Sequence, residues 1–193
     1  MKRIEEFTGE YQCLSRDWPI PIEFEGFIYP TLQHAYEASK TFDNQYLRKK
    51  IRNMPTPAQA RQCAQTEIEA KGLLRKDWNK ERFVILTSLI RQKFFFKEIL
   101  LTQKLIQTED AFLIDCNAWG DQFLDQKKNP AGHLVGSNYS GQIHMDTRKQ
   151  LLDRKKFLTE SLNKHSGLKD IHLAKVLNLS EWELFVQRTT FGL

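Results

Sequence analysis

The chain has 193 residues, of which 40% are hydrophobic and 27% charged. This length and composition are typical of one globular domain, alone or with an extension, and they exclude a disordered chain. The net charge of +5 favours an anionic partner, although the basic residues are interspersed with acids. The sequence has no apolar run of about 18 residues and no apolar signal-peptide centre within residues 1–15, so we expect a cytoplasmic protein without membrane contact.

The first thirty residues predict a small β element. Short apolar runs at residues 4–7, 20–24 and 27–29 are separated by turn signals, of which Glu25-Gly26 is the tightest. This element leads directly into the first helix.

The segment from Tyr29 to Lys40 predicts a helix that begins at Leu32. Thr31 follows a proline and offers a hydroxyl that can accept a hydrogen bond from a free backbone amide. The residues that then share one side of this helix are Gln33, Glu37 and Lys40, with Tyr36 on the flank. This stripe is a candidate site. The alternative is a solvated face with an ordinary Glu37–Lys40 ion pair.

Three more helical segments follow. The helical pattern continues over residues 43–53, and Thr56 with Pro57 and Gln59 forms a capping box that predicts a new helix. A further helix is predicted over residues 80–96. Its expected core residues are Phe83, Leu86, Thr87, Ile90 and Phe94.

Residues 110–141 form a long irregular stretch, which makes them a second candidate wall of a site. A helix over residues 142–162 closes the predicted domain, 1–162. Residues 163–193 are a predicted helical extension, with a helix over 168–177 and a second start signal at Ser180. The segment 165–193 could dock on the core, form a dimer contact or bind a partner. The predicted fold class is mainly α (α+β), a compact helical domain with a small N-terminal β element.

The cysteines and histidines do not predict a metal centre. Cys13, Cys63 and Cys116 are widely spaced, and the five histidines show no ligand spacing. We therefore expect no metal and no cofactor.

An ordered set of landmarks gives the chain its resemblance to a known family. The early landmarks are Phe7-Thr8-Gly9-Glu10-Tyr11, Leu14-Ser15, Pro21-Ile22, Glu25-Gly26, Tyr29-Pro30-Thr31, His34-Ala35-Tyr36 and Lys40. The later ones are Thr56-Pro57, Trp78, Arg82, Lys93-Phe94, Ile114-Asp115, Asn117, Trp119, Asp121, Gly136, Asn138, Gly141, Met145 and Arg148. In this order they resemble the NADAR, or YbiA-like, family over about residues 3–152. The resemblance implies that family's fold and cleavage of N-glycosidic bonds.

The resemblance also implies catalytic roles for Lys40, Asp115 and Asp121. Burial or a neighbouring cation would disfavour the ammonium form of Lys40, and the free amine could attack an opened ribose as a Schiff base. Either aspartate could orient ribose hydroxyls, protonate the leaving base or hold Lys40, or else cap a turn. Asp115 stands where the family usually has glutamate.

Substrate-binding candidates surround these residues. They are Gln33, Tyr36, Glu37, Trp119, Gly136, Asn138 and Arg148. Tyr36 and Trp119 could stack on a base or a flavin-precursor ring, and the Gly136 to Gly141 turn would place backbone amides near a phosphate. Arg148 could bind a phosphate or lie on a helix face.

The chain departs from the family at several positions. Gln33 replaces a common glutamate, and its amide can bond to a ribose hydroxyl but cannot act as a base. Three explanations stay open: the lysine route does not need that carboxylate, Glu37 has taken over its work, or the protein binds without cleaving. The other departures are Arg16-Asp17 for Asn-Phe, Ala64-Gln65 for Gly-Arg and Leu124-Asp125 for Trp-Gly.

Three functions follow from the resemblance. The first is an N-glycosidase that removes ADP-ribose from guanine bases in DNA and so reverses modification by an ADP-ribosylating toxin. The basic balance, the short cationic clusters at residues 48–52 and 154–156 and the extension favour it. The second is an N-glycosidase on a small ribosyl substrate, such as riboflavin-pathway intermediates. The third is a catalytically silent protein that binds ADP-ribosylated nucleic acid or a protein partner.

Overall fold

The computed structural model describes residues 2–116 and 123–193, without the side chains of Phe96 and Lys97. Helices make up 57% of this part of the chain, so the prediction of a mainly α fold with small strands is confirmed. The strands are β1 Arg3–Ile4, β2 Pro19–Phe24, β3 Phe27–Thr31, β4 Phe112–Leu113, β5 Lys127–Lys128 and β6 Leu134–Val135. The α-helices are α1 Leu32–Ala38, α2 Gln45–Arg52, α3 Pro57–Ala64, α4 Trp78–Gln92, α5 Ile99–Ile106, α6 Tyr139–Lys164, α7 Asp170–Val176 and α8 Glu181–Phe191.

The N-terminal β element is a hairpin of β2 and β3. Its turn residues Glu25 and Gly26 both have positive φ, 46° and 78°, which matches the right-handed twist of the flanking strands. Ile22 faces Tyr29 in the register, and both are fully buried. β1 pairs in parallel with β4 and so joins the N-terminus to the irregular stretch after α5.

The helix α1 lies at the centre of the fold. It begins at Leu32 as predicted, and the Thr31 hydroxyl accepts a hydrogen bond from the His34 amide. Every residue of α1 is buried, and the helix packs against β2, β3, α2, α3 and α4. The alternative of a solvated helix face is therefore wrong.

The next helices follow their local signals closely. Thr56 caps α3 through the Gln59 amide, but its hydroxyl also donates to the Gln59 side chain, which replaces the expected reciprocal bond to the Thr56 backbone. α4 is followed by a π-helical turn, Lys93–Lys97. Phe83 was wrongly expected in the core, since it is 39% exposed. The buried stripe of α4 runs instead along Ile85, Leu86, Leu89 and Ile90.

The predicted irregular stretch, as far as residues 110–116 and 123–138 describe it, consists of loops and the short strands β4, β5 and β6. It ends at Asn138, whose backbone is left-handed with φ 53°, and α6 begins at Tyr139, three residues before the predicted start. Gly141 sits where a Cβ atom would lie 2.3 Å from the Leu113 carbonyl oxygen, so only glycine fits there.

The last two helices pack against the preceding fold. The predicted start at Ser180 is confirmed: Ser180 and Glu183 form a complete capping box at the head of α8. α8 packs against α5, and Phe191 is part of the main hydrophobic core. Leu173, Ala174 and Leu184 form a second, smaller core between α7 and α8. No helix in the described part of the chain is long and apolar enough to cross a membrane.

Candidate active site

Lys40 lies two residues beyond the end of α1, between two carboxylates. Its Nζ atom is 2.6 Å from Glu37 Oε2 and 2.6 Å from Glu69 Oε1. Glu69 comes from the π-helical turn Gln65–Glu69 after α3. The Lys40 side chain is 13% exposed and that of Glu37 4%, whereas Glu69 is 42% exposed. The lysine therefore has one buried partner and one that borders solvent.

Gln33 completes the stripe predicted from the helical spacing. Its Nε2 atom donates a hydrogen bond to Glu37 Oε1, one turn along α1. Its own Oε1 atom is buried and has no hydrogen-bond partner in the described part of the protein. Gln33, Glu37 and Lys40 thus form one connected group, which contains one buried acceptor, Gln33 Oε1, without a partner among the described residues.

Burial and mutual contact shift the pKa values of Lys40 and Glu37. Burial lowers the pKa of Lys40, but the charges and hydrogen bonds of Glu37 and Glu69 outweigh it, so the pKa is raised above its ordinary value. Burial raises the pKa of Glu37, although Lys40 pulls in the opposite direction. At neutral pH Lys40 therefore rests as an ammonium ion, and its role as a nucleophile requires that it first loses a proton.

Arg16 connects this stripe with the irregular wall of the site. Its carbonyl oxygen accepts a hydrogen bond from the Gln33 amide at 3.0 Å. Its guanidinium lies 2.6 Å from Asp125 Oδ2 and 3.8 Å from Asp115 Oδ2. Sequence reasoning missed this residue as part of the site. The sequence did hold one indication, because Arg16 and Asp125 both stand at positions where the chain differs from the family pattern. In the structure these two residues form an ion pair with each other.

Asp115 is brought to the site by hydrogen bonds from the head of α6. Ser140 Oγ donates to its Oδ2 atom at 2.7 Å, and its own amide donates to Asn138 Oδ1 at 3.0 Å. Asn138 Nδ2 donates to the Leu113 carbonyl, so the oxygen and the nitrogen of the Asn138 side-chain amide are both hydrogen-bonded to the backbone. The side chain of Asn138 thus has a structural role, and the expectation that backbone amides of this turn bind a phosphate stays a prediction. Gly136 is exposed, and its carbonyl accepts from Gln126.

Two other predicted binding residues lie inside the fold. Arg148 donates to Thr108 Oγ1 at 2.7 Å and to the Ala111 carbonyl at 3.0 Å, and burial lowers its pKa. It fixes the turn before β4, which corrects its expected role as a phosphate ligand. The Tyr36 ring is 3% exposed and packs on Trp78 with centroids 5.2 Å apart, so it is not an open stacking surface. The predicted site residues Trp119 and Asp121 lie outside the described residues.

A buried lysine supports the loop that carries Arg16. Lys93 is fully buried, and its Nζ atom donates to the Ser15 carbonyl at 2.7 Å. Burial lowers its pKa to about 7, while Cys13, Asp115 and Asp17 oppose the shift. Beside it, the buried His144 ring has its pKa lowered to about 4 by burial. The sequence offered Lys93 only as a family landmark.

No group of three metal-ligating side chains comes together within residues 2–116 and 123–193. Within those ranges, the chemistry of the site is carried by a lysine, its carboxylates and an arginine.

This geometry accompanies a clear family match. A lysine–glutamate pair at the end of the central helix, linked through Gln33 and Arg16 to Asp115 and Asp125, occurs here within residues 4–152, which match the family model of the NADAR domain. The chain therefore belongs to the NADAR family. The match ends inside α6, so α7 and α8 lie beyond it.

Several known proteins resemble the chain across this region. The N-glycosidase YbiA of Escherichia coli (strain K12) is 29% identical over 148 residues, 75% of this chain and 84% of that protein. The YbiA protein of Shigella boydii is 28% identical over 148 residues, with the same coverage. A riboflavin biosynthesis protein of Vibrio vulnificus is 28% identical over 142 residues, which are 72% of this chain but 35% of that protein. The NMR structure of E. coli YbiA matches with a TM-score of 0.64 and 26% identity, covering 80% of this chain and 89% of that one.

Proposed function

We propose that this protein is an N-glycosidase that releases ADP-ribose from guanine bases in DNA, with Lys40 as its nucleophile. The observation that carries the proposal is the position of Lys40 Nζ, 2.6 Å from both the buried Glu37 and the half-exposed Glu69. In a chain homologous to N-glycosidases, this pairing supplies both a nucleophile and a proton acceptor.

The reaction begins with transfer of a proton from the Lys40 ammonium. Glu37 is the acceptor, because burial raises its pKa and its Oε2 atom already contacts Nζ. The incoming ribose displaces the more exposed Glu69, which removes one of the two charges that keep Lys40 protonated. The neutral amine is thus formed only when substrate is present.

The amine then attacks the anomeric carbon of the ribose. A bond forms between Nζ and this carbon while the bond to the base nitrogen breaks, and the base leaves with a proton supplied by an acid of the site. The sugar ring opens to give a Schiff base. Water adds to this imine, releases ADP-ribose as a free sugar and restores the lysine amine.

Gln33 fits this route as a positioning residue. Its amide donates to Glu37 Oε1 and leaves Glu37 Oε2 for Lys40. The free Gln33 Oε1 atom is an acceptor for a ribose hydroxyl. Gln33 stands where the family commonly has a glutamate. The arrangement supports the explanation that Glu37 has taken over the role of that glutamate.

The choice of DNA as substrate rests on charge. The chain carries +5, which favours a polyanion. The predicted cluster at residues 48–52 contributes less than its sequence indicates, since Arg48 is 5% exposed and pairs with Glu25. A second candidate function is cleavage of riboflavin-pathway intermediates, which the similarity to the Vibrio vulnificus protein favours.

The test is incubation with an oligonucleotide that carries ADP-ribose on guanine, scored by its loss of mass. We expect the native protein to remove the modification and Lys40→Ala to lose roughly 10³-fold or more of the rate. The matched control is Lys71→Ala, because Lys71 also pairs with a glutamate, Glu67 at 2.6 Å, but belongs to neither cationic cluster. Turnover of phosphorylated riboflavin precursors alone would favour the second candidate. Tight binding without turnover of either would favour the silent binder.

The Schiff base itself can be trapped. Borohydride reduces the imine to a secondary amine, so the native protein should gain the mass of the sugar moiety at Lys40 during turnover. Lys40→Arg should gain none, since a guanidinium cannot form the imine. Turnover without a trapped adduct would argue for direct attack of water and would assign Lys40 an electrostatic role.

A further inference from the structure

A cleft of about 650 Å³ opens beside Lys40. Residues 41–45 form one wall and residues 73–77 the other. The first wall follows Lys40 directly in the chain, and the second is tied to it by a hydrogen bond from the Arg75 amide to the Lys40 carbonyl at 2.8 Å. The volume is within the range of small-molecule sites. None of the residues that line this cleft takes part in the reaction proposed at Lys40.

The cleft contains an aromatic ring whose position is fixed from one side. The Arg75 guanidinium lies 5.2 Å from the centroid of the Phe42 ring. Asp77 holds that guanidinium with two hydrogen bonds, of 2.6 and 2.9 Å, and the Arg75 side chain is only 10% exposed. Phe42 is nevertheless 54% exposed. One side of the ring therefore rests on a held cation, and the ring still presents an open surface.

The charge of the cleft selects among possible ligands. Its lining cations, Arg75 and Lys76, are balanced by two anions, Asp43 and Asp77. A lining without net charge attracts a phosphate chain only weakly. An exposed aromatic ring, in contrast, can stack on any flat nucleic-acid base. The features of the cleft fit a purine base better than a phosphate.

We infer that this cleft is a subsite for a purine ring of the substrate, with Phe42 as the stacking surface. The inference rests on the proposed function, because it assumes that the ribose is at Lys40 and that a purine attached to it reaches the next part of the surface. Two purines meet this description: the adenine of ADP-ribose and a base of the DNA strand.

The test measures binding by calorimetry, so that it does not depend on turnover. The probes are ADP-ribose, ribose 5-phosphate and a single-stranded oligodeoxyadenylate, and the variants are Phe42→Leu and Phe42→Trp. The matched control is Phe157→Leu on α6. Phe157 is 47% exposed and has Arg154 at 5.3 Å from its ring, but it does not line the cleft.

We expect Phe42→Leu to bind ADP-ribose roughly 5- to 150-fold more weakly. Phe42→Trp should retain binding, and ribose 5-phosphate, which has no base, should bind all three proteins equally. This result assigns the cleft to adenine. A loss confined to the oligonucleotide assigns it to a base of the DNA and still supports the subsite.

Unchanged binding of both purine ligands by Phe42→Leu overturns the inference, as does an equal loss in Phe157→Leu. A native protein that binds neither purine ligand also overturns it. Failure of the proposed function gives a different result: Phe42→Leu still weakens purine binding, while the native protein and Lys40→Ala are equally inactive.

Discussion

The two carboxylates on Lys40 differ in exposure, and this difference predicts different roles. Glu37 is buried, hydrogen-bonded to Gln33 and has a raised pKa, so it can keep a proton taken from the lysine. Glu69 borders solvent and can leave when substrate enters. We therefore expect that removing the Glu37 carboxylate and removing the Glu69 carboxylate will have different effects on activity.

Glu37→Gln should abolish most turnover while leaving substrate binding intact. An amide of the same shape keeps the packing but cannot accept the proton of Lys40, so we expect kcat to fall roughly 10²- to 10⁴-fold with little change in KM. Steady-state kinetics on the modified oligonucleotide measure this. The control is Glu67→Gln in the turn that also carries Glu69, because its carboxylate pairs with Lys50 and Lys71 instead of Lys40. A kcat close to the native value in Glu37→Gln would exclude Glu37 as the base.

Glu69→Gln should move the pH profile rather than abolish activity. The charge and hydrogen bond of Glu69 contribute to the raised pKa of Lys40, so their loss lowers that pKa and makes the free amine available at lower pH. We expect the ascending limb of kcat/KM to shift to lower pH. The limb should stay in place in Glu67→Gln. An unshifted limb in Glu69→Gln would mean that Lys40 is not the group that titrates.

Lys93→Met should change how stability depends on pH. The pKa of Lys93 is lowered to about 7 from 10.5, so the folded state binds fewer protons than the unfolded state between these values. The lysine therefore makes the free energy of unfolding rise with pH from about 7 to 10.5. Urea unfolding at several pH values should show a smaller rise in Lys93→Met than in the native protein. Lys80→Met, an exposed change on α4, should leave the rise intact.

At the scale of elements, the start of α6 depends on one residue. Asn138 has a left-handed backbone, and its side chain bonds to the Asp115 amide and the Leu113 carbonyl. This residue therefore both ends the irregular wall and fixes the position of Asp115. Glycine can adopt the same backbone but supplies neither bond.

Asn138→Gly should destabilise the protein by about 1–3 kcal/mol, because the buried Asp115 amide and Leu113 carbonyl lose their partners. The matched control is Asn178→Gly. Asn178 has the same left-handed backbone, φ 54°, but it is exposed. Urea unfolding should show a near-native midpoint for Asn178→Gly and a lower one for Asn138→Gly. Equal midpoints would mean that backbone conformation alone matters at residue 138.

Elements with local signals could be predicted from the sequence. Thr31 gave the start of α1, Glu25-Gly26 gave the hairpin turn, and Ser180 with Glu183 gave the start of α8, because each signal lies within four residues of its effect. The burial of Phe83 was predicted wrongly for a related reason. Periodicity locates an apolar stripe, but which side of the stripe meets the core depends on the elements packed against it.

The candidate site was only partly predictable because half of it is assembled over long distances. The Gln33, Glu37 and Lys40 group follows from helical spacing. Arg16 and Asp125 are 109 residues apart, and Glu69 comes from a turn 29 residues beyond Lys40, so no local pattern links them. For the same reason the raised pKa of Lys40 was missed: the sequence showed one carboxylate near it, and the fold adds a second.

At the scale of the whole molecule, α8 is part of the main packing. Phe191 is 7% exposed and belongs to the main core, and Gln103 on α5 donates to the Thr190 carbonyl. The division at residue 162 stays a prediction, and α6 continues two residues past it, to Lys164. Because of these contacts, we expect α8 to unfold together with the fold that holds the site. An independent extension would instead unfold in a separate transition.

Phe191→Ala distinguishes these two cases. Loss of a buried phenylalanine from a shared core costs about 3 kcal/mol, so the single urea transition of the whole protein should move to lower denaturant. Trp182→Ala, on the same helix but 70% exposed, should change stability by about 0.5 kcal/mol or less. If Phe191→Ala leaves the main transition in place and only adds an early one, the last helices fold as a separate unit. In that case, activity measured at urea concentrations between the early and the main transition would persist although α8 has unfolded. In a single cooperative structure, activity would be lost together with α8.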